Sequence, residues 1–342
     1  MQDYTRLTSE SYRWSMRTVV ATVLALSCLL GLAARADGEQ RRIPWLTFNE
    51  VTLDAKTHVL SRHDIFPDAS SLSPDHKRFA HVDYTCDGCP PSTQLMVADV
   101  RGPGDRLLIA AAHGIRYVAW SPNGKTIAFT SDALWLVNAD GTNLRRVGES
   151  GIQPAWSPDS RKIAYLTSNG YEPVIAVLTL ASRSVRELAV GQNFRWSPEG
   201  SRLAYEKVGG GSCTFQARIV DVSSGASRAV ACGSIDSWSP DGRHISLIRY
   251  DRGPGSSLWN VPTRGGRPRR IAWDAFGALW SPDSRWIAFG RGHHYCSSKL
   301  WLVPASGGRA RVLAAHSRII GPLAWSRTGR KILYEAELCS GQ

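Results

Sequence analysis

One cassette recurs along the chain. In its fullest form it reads Trp156-Ser157-Pro158-Asp159-Ser160, followed by Ile163-Ala164-Tyr165. The same order of residue types returns as Trp120-Ser121-Pro122-Asn123-Gly124 with Ile127-Ala128-Phe129, and as Trp196-Ser197-Pro198-Glu199-Gly200 with Leu203-Ala204-Tyr205. It returns again as Trp238-Ser239-Pro240-Asp241-Gly242 with Ile245-Ser246-Leu247, and as Trp280-Ser281-Pro282-Asp283-Ser284 with Ile287-Ala288-Phe289. Two copies are worn. Leu72-Ser73-Pro74-Asp75 lacks the Trp and leads to Phe79-Ala80-His81; Trp325-Ser326-Arg327-Thr328-Gly329 lacks the Pro and leads to Ile332-Leu333-Tyr334. The seven serines are 48, 36, 40, 42, 42 and 45 residues apart. A period of this size means a fold assembled from like supersecondary units, each burying its face against the next.

The cassette suits a tight hairpin. Pro presets φ, Asp bonds its own backbone and Gly accepts φ > 0, as a type I turn requires. The Trp then closes one strand, and the Ile-Ala-aromatic run opens the next. Ala is small enough to let two sheets approach closely, and a Trp repeated once per unit reads as a wedge between neighbours. Repeats of about 40–45 residues holding four short strands are propeller blades. Naming the strands of a blade A to D from the axis outward, the second blade takes A near 116–120, B near 126–131, C near 134–138 and D near 144–148. Asn138-Ala139-Asp140-Gly141, Ser223-Ser224-Gly225, Arg264-Gly265-Gly266 and Ser306-Gly307-Gly308 supply C–D turns. The A–B and C–D turns then share one face, and the B–C and D–A loops share the other.

The chain ends are complementary. Trp45 to Leu53 and Thr57 to Leu60 read as two strands with no cassette before them. The last cassette supplies strands near 322–325 and 331–336 with nothing after them. One end offers two outer strands and the other two inner ones. The expectation is a seven-bladed, all-β propeller of four-stranded antiparallel blades, closed by both termini sharing one blade, which removes open sheet edges.

The Trp-Ser-Pro-Asp-Gly-x-x-Ile-Ala-Phe/Tyr pattern resembles the repeat of the TolB-type propeller family, a relative of WD-repeat propellers. The resemblance runs from about Ile43 to the C-terminus. It implies the fold and leaves the activity open, because unrelated functions use this scaffold. TolB itself has a further N-terminal domain, for which residues 37–42 leave no room, so the resemblance does not carry a TolB-like part in an outer-membrane complex.

Residues 1–17 are polar with Arg6, Arg13 and Arg17, and 18–34 hold no charge. Ala34-Arg35-Ala36 is a small-x-small site of the signal-peptidase type. The uncharged run is slightly long for a signal core and slightly short for the ~20 residues of a spanning helix. Residues 1–36 are therefore read as a signal peptide or membrane anchor, an N-terminal helix with a membrane tether through 18–34. Met16 is an alternative start, and Cys28 sits in a poor lipid-attachment context. Residues 37–42 are a linker and 43–342 the propeller, expected outside the cytoplasm.

Six cysteines follow, an even number that in an exported chain suggests disulfides. The propeller reading narrows the fifteen possible pairings to Cys213–Cys232 across the ends of two neighbouring strands, Cys86–Cys89 within one loop, and Cys296–Cys339 between adjacent blades. Cys86-x-x-Cys89 lacks the βαβ context of a redox pair and the second pair of a zinc site. His293, His294 and Cys296 lack a fourth ligand nearby, so no metal and no cofactor is expected.

No Gly-x-Ser-x-Gly, His-Glu-x-x-His, phosphate-binding or dinucleotide motif is present, and no catalytic residue is assigned. The net charge is +12. That balance fits either an arginine-rich solvated surface or an acidic partner; no nucleic-acid partner is expected. The leading expectation is a non-catalytic binding scaffold for a protein, peptide or cell-envelope polymer. It would use the loop face and channel mouth through Arg116, Gln153, Asn193, Arg195 and Asp236, with Tyr171, Phe215 and Tyr295 in the longer loops. The alternative is a propeller enzyme acting on a polysaccharide or ester from the channel mouth, with histidines such as His293 or His294. A third reading is an adhesin for anionic polymer, built on Arg264, Arg267, Arg269 and Arg270 as a C–D turn.

Overall fold

The cassette closes on itself. In the computed structural model, Ser157 Oγ donates to Asp159 Oδ1 at 2.5 Å and accepts from the Lys162 amide at 2.9 Å. Asp159 Oδ1 in turn accepts from the Arg161 amide at 3.0 Å, while Ser157 N–H reaches Lys162 O at 2.9 Å. The same ring of bonds recurs at Ser73/Asp75, Ser121/Asn123, Ser239/Asp241 and Ser281/Asp283. The serine hydroxyl holds the carboxyls of Asp75, Asp159 and Asp283 below the usual range. The residue after the acid-bearing position is left-handed in every copy. Gly124, Gly200, Gly242 and Gly329 take this conformation without a Cβ, whereas His76, Ser160 and Ser284 adopt φ of 56°, 60° and 60°. Two of these exceptions have a use: Ser160 Oγ accepts from Asn123 N, and Ser284 Oγ from Asp241 N, each at 3.1 Å and each in the preceding blade's turn.

The structure describes residues 46–63, 70–85, 92–102, 105–111, 114–149, 151–168, 170–209, 213–250, 255–292, 298–315 and 318–337. These form seven four-stranded antiparallel sheets. Six are built from consecutive strands. Blade 1 is Ser70–Leu72, Arg78–Thr85, Ser92–Asp99 and Asp105–Ala111; blade 2 is Tyr117–Trp120, Thr126–Thr130, Leu134–Asn138 and Arg145–Gly148; blade 3 is Ile152–Trp156, Lys162–Ser168, Pro173–Thr179 and Ser184–Val190. Blade 4 is Gln192–Trp196, Arg202–Val208, Phe215–Asp221 and Ser227–Cys232; blade 5 is Ser234–Trp238, His244–Tyr250, Ser256–Pro262 and Arg269–Trp273; blade 6 is Ala275–Trp280, Trp286–Arg291, Lys299–Pro304 and Arg311–Ala314. Blade 7 takes its A and B strands, Arg318–Trp325 and Lys331–Glu337, from the C-terminal end and its C and D strands, Leu46–Thr52 and Thr57–His63, from the N-terminal end. The closing register runs from Leu46 opposite Glu337 to Thr52 opposite Lys331. The expected signal or anchor segment, residues 1–36, and the linker lie outside the described residues.

The core is divided into seven apolar clusters, each straddling the seam between two neighbouring blades. Cassette tryptophans enter six of them, and Leu72 stands in the seventh, between blades 7 and 1. The alanines Ala80, Ala128, Ala164, Ala204 and Ala288 are wholly buried where the sheets meet. The indoles also bond across the seam. Trp156 Nε1 donates to Ala119 O, Trp196 Nε1 to Ala155 O and Trp238 Nε1 to Arg195 O, each at 3.0 Å, and Trp325 Nε1 to Leu279 O at 3.3 Å. Trp120 and Trp280 have no acceptor for this proton.

Much of the arginine surplus works between blades. Arg78 lies 5.1 Å over the Trp120 ring and Arg202 5.1 Å over Trp238, while His244 stacks on Trp280. On the outer strands Arg106 donates to Ala139 O at 2.9 Å, Arg186 to Val222 O at 3.0 Å and Arg311 to Leu53 O at 2.6 Å, in each case reaching the next blade. The expectation for 264–270 is corrected in part: Arg269 and Arg270 belong to strand D of blade 5, not to a turn. Phe215 likewise opens strand C of blade 4 instead of lying in a loop.

Candidate functional site at the loop face

Three of the residues expected at the channel mouth come together. Neighbouring A strands lie side by side around the axis, and Asn193, Arg195 and Asp236 knit those of blades 4, 5 and 6. Asn193 Nδ2 donates to Glu206 Oε1 and, at 3.0 Å, to Ile235 O. Arg195 Nε donates to Asp236 O at 3.2 Å, and Asp236 Oδ2 accepts from the Ala278 amide. Behind them Glu206, buried to 2% exposure, accepts from Ser234 Oγ at 2.5 Å and Ile235 N at 2.6 Å. A buried carboxylate is tolerated where several donors face it, and here two of them, Ser234 and Ile235, come from the adjoining blade. Burial pushes the Asp236 carboxyl up to about 6, against the opposing pull of the Ala278 amide and the Arg195 charge. Arg116 and Gln153 are exposed on blades 2 and 3, outside this belt.

The longer loops behave differently. Tyr171, between strands B and C of blade 3, is 95% exposed. Phe215 is half-buried and pairs with Val208 across blade 4. Cys213 and Cys232 form a disulfide with Cα atoms 5.6 Å apart, fixing the loop-side ends of strands C and D. Cys86, Cys89, Tyr295, Cys296 and Cys339 lie outside the described residues, as do His293 and His294. Among the described residues no group of three or more His, Cys, Asp or Glu is placed to hold a metal ion.

Sequence reasoning missed part of this face. Val208, Tyr250 and Trp273 are 66%, 76% and 46% exposed, and all three sit at strand ends on the B–C/D–A side of blades 4 and 5. The available signal was position: each is a large apolar residue at the end of its strand next to a loop, Val208 and Tyr250 beyond the last buried residue of theirs. The opposite face holds a cleft of ≈ 730 Å³ between blades 1 and 2, lined by Arg78, Asp99, Arg106, Lys125 and Asp140. Two of its cations already serve the seam, Arg78 on Trp120 and Arg106 on the carbonyls of Ala139 and Asp140.

Comparison with known proteins agrees with this architecture. Over 124 residues the chain is 32% identical to a protein TolB homolog of Chlorobium luteolum, an alignment covering 34% of this chain and 27% of that protein. A 54-residue stretch is 44% identical to the Tol-Pal system protein TolB of Bordetella avium, covering 15% and 12% of the two chains. The chain thus matches well under a third of the length of these relatives. Among solved structures, TolB from Acinetobacter baumannii superposes with a TM-score of 0.50 at 15% identity, over 90% of this chain and 67% of that one. Oligogalacturonate lyase from Vibrio parahaemolyticus superposes with a TM-score of 0.59 at 10% identity, over 86% and 97%. Both show the fold alone. The profile of the TolB beta propeller domain matches residues 131–341, more than half of the sequence, and the chain belongs to that family.

Proposed function

We propose that the chain is a non-catalytic, extracytoplasmic binding scaffold that engages a protein of the cell envelope through its loop face. The observation that carries this reading is the contrast between the two faces. On the turn face the polar side chains of the cassettes are taken up by their own turns. On the loop face Tyr171, Val208, Tyr250 and Trp273 stand out from blades 3, 4 and 5. Aromatic side chains held on a rigid frame lose little entropy on binding and are enriched at interfaces. The Bordetella relative's place in a Tol-Pal system supports a protein partner, and the signal-like sequence at 18–36 supports export. The test is a photo-cross-linking residue placed at Tyr171 or at Asn123, followed by exposure to the source organism's envelope fraction. Specific adducts from position 171 and none from 123 are expected; adducts from 123 alone overturn the choice of face.

A second reading rests on Asp236. A carboxyl held near 6 beside the axis has the acidity of a general acid or base, and a propeller enzyme would place it there. Turnover of oligogalacturonate or of a simple ester by wild type, lost in Asp236→Asn, would establish that reading.

A further inference from the structure

This inference rests on the scaffold reading and names the chemistry of its partner. Strand C carries Leu-Trp at 134–135, 258–259 and 300–301, in blades 2, 5 and 6. In blades 5 and 6 an arginine from strand B lies over that tryptophan, Arg249 at 4.0 Å from the Trp259 ring and Arg291 at 5.1 Å from Trp301. In blade 6 the residue opposite Trp301 on strand D is Val312. In blade 5 it is Arg270, and the stack continues outward: Arg270 lies 5.9 Å from the Trp259 ring and 3.9 Å from that of Trp273. Blade 2 also has an arginine opposite its tryptophan, Arg146, but Glu149 engages it at 2.8 Å. Among the described residues no carboxylate stands within ion-pair distance of Arg270, which is exposed. The first step of the stack recurs in blade 6 and lies within one blade in both cases. The last two members belong to blade 5 and end in solvent.

Apolar surface gathers at the same seam. Strand alternation puts Val208 and Phe215 on the face of blade 4 that turns towards blade 5. Arg249 Nε donates to Cys232 O at 2.7 Å, tying the stack to the disulfide-bonded strand end. A guanidinium stacked on an exposed indole, pre-ordered and beside apolar side chains, has the make-up of an interface hot spot. Local charge selects the occupant: Lys207 and Arg270 are exposed along this seam and Arg249 lies inside the stack, while the carboxylate of Glu206 is buried beneath its Ser234 and Ile235 donors. The apolar flank favours a segment carrying both carboxylates and aliphatic groups, which a uronate polymer does not offer.

We propose that the loop end of the seam between blades 4 and 5 docks an acidic peptide segment of a partner protein, with a carboxylate on Arg270 and an apolar side chain against Trp273 and Val208. The probe is a fluorescein-labelled decapeptide of alternating Glu and Leu, followed by anisotropy against the full chain in 150 mM salt. Saturable binding is expected, weakened at least tenfold in Arg270→Ala and in Trp273→Ala and by less than twofold in Arg161→Ala on the turn face, with all variants melting within a few degrees of wild type. Absence of binding, binding untouched by Trp273→Ala, or displacement of the peptide by polygalacturonate would each overturn the proposal. If cross-links from Tyr171 persist undiminished in Arg270→Ala and Trp273→Ala, this site fails while the scaffold reading stands; loss of all loop-face cross-links in wild type removes the scaffold reading itself.

Discussion

Ser160 shows how one side chain can justify an unfavourable backbone. A non-glycine residue in the left-handed region costs about 1–2 kcal/mol, and Ser160 and Ser284 both sit there. Each recovers part of this through a hydroxyl that accepts the neighbouring turn's amide, a bond contributing roughly 0.5–1.5 kcal/mol. Ser160→Gly should therefore leave stability nearly unchanged, whereas Ser160→Ala keeps the strain, loses the bond and should cost about 1 kcal/mol in chemical denaturation. Asp236 illustrates the opposite case, a conformation that suits the fold and a charge that does not. Its carboxyl is raised from 3.8 to about 6, so the folded state holds its proton more tightly than the unfolded chain. The resulting stability is fully present below pH ~4 and is lost as pH rises through ~6. Asp236→Asn should leave the melting temperature near pH 4 unchanged and raise stability at pH 7.5 by about 1–2 kcal/mol, after allowance for solvent screening of a half-buried group. A variant that is destabilised at pH 7.5 would mean that the charged form is the one the fold requires.

At the scale of the blade, the seam is the unit of stability, and its indoles allow a controlled comparison. Trp156 and Trp280 are both over nine-tenths buried, but only Trp156 has an acceptor across the seam. Phenylalanine at either site removes similar ring area. Trp156→Phe should exceed Trp280→Phe in cost by about 1 kcal/mol, the value of the lost bond, when both are measured by urea unfolding. The blades were legible in the sequence because the cassette is local: Ser, Pro and Asp fold the turn within six residues, and Trp, Ile and Ala mark what lies on either side. What stayed illegible is contact between blades. Glu206 reads as one more surface acid on an alternating strand until Ser234 and Ile235 of the next blade close over it. The Leu-Trp pairs of strand C form a second, sparser repeat in the sequence. Their role depended on Arg249 and Arg270, whose spacing from Trp259 follows from register and not from any period. Asn193, Arg195 and Asp236 all fall just before a cassette Trp, and for that reason adjacent A strands carry them to nearby depths around the axis. That they bond to Glu206 and to the backbone of the adjoining blades needed the side-chain geometry.

For the molecule as a whole, the shared blade is the vulnerable joint. Val51 and Ile332–Ala336 are buried together there, and removing residues 43–62 would leave strand Lys331–Glu337 with an open edge next to an uncovered apolar surface. The truncated chain should aggregate in size-exclusion chromatography and melt well below wild type; a monomer with an unchanged melting temperature would show that the ring does not depend on this closure. The disulfide acts more locally. Its 19-residue separation corresponds to roughly 3 kcal/mol of chain entropy, and reduction should lower the melting temperature without opening the ring. The closing register also sets an order of events in time. Leu46 finds its partner Glu337 only after all the residues between them have been made, at a pace of roughly 5–20 residues per second, so strand Leu46–Thr52, paired on one side with Thr57–His63, waits with its other edge open for tens of seconds while blades 1 to 6 can form from contacts between near neighbours. The open edge of that hairpin is thus among the last in the ring to be covered, and any factor that shields the nascent protein has the longest work to do there.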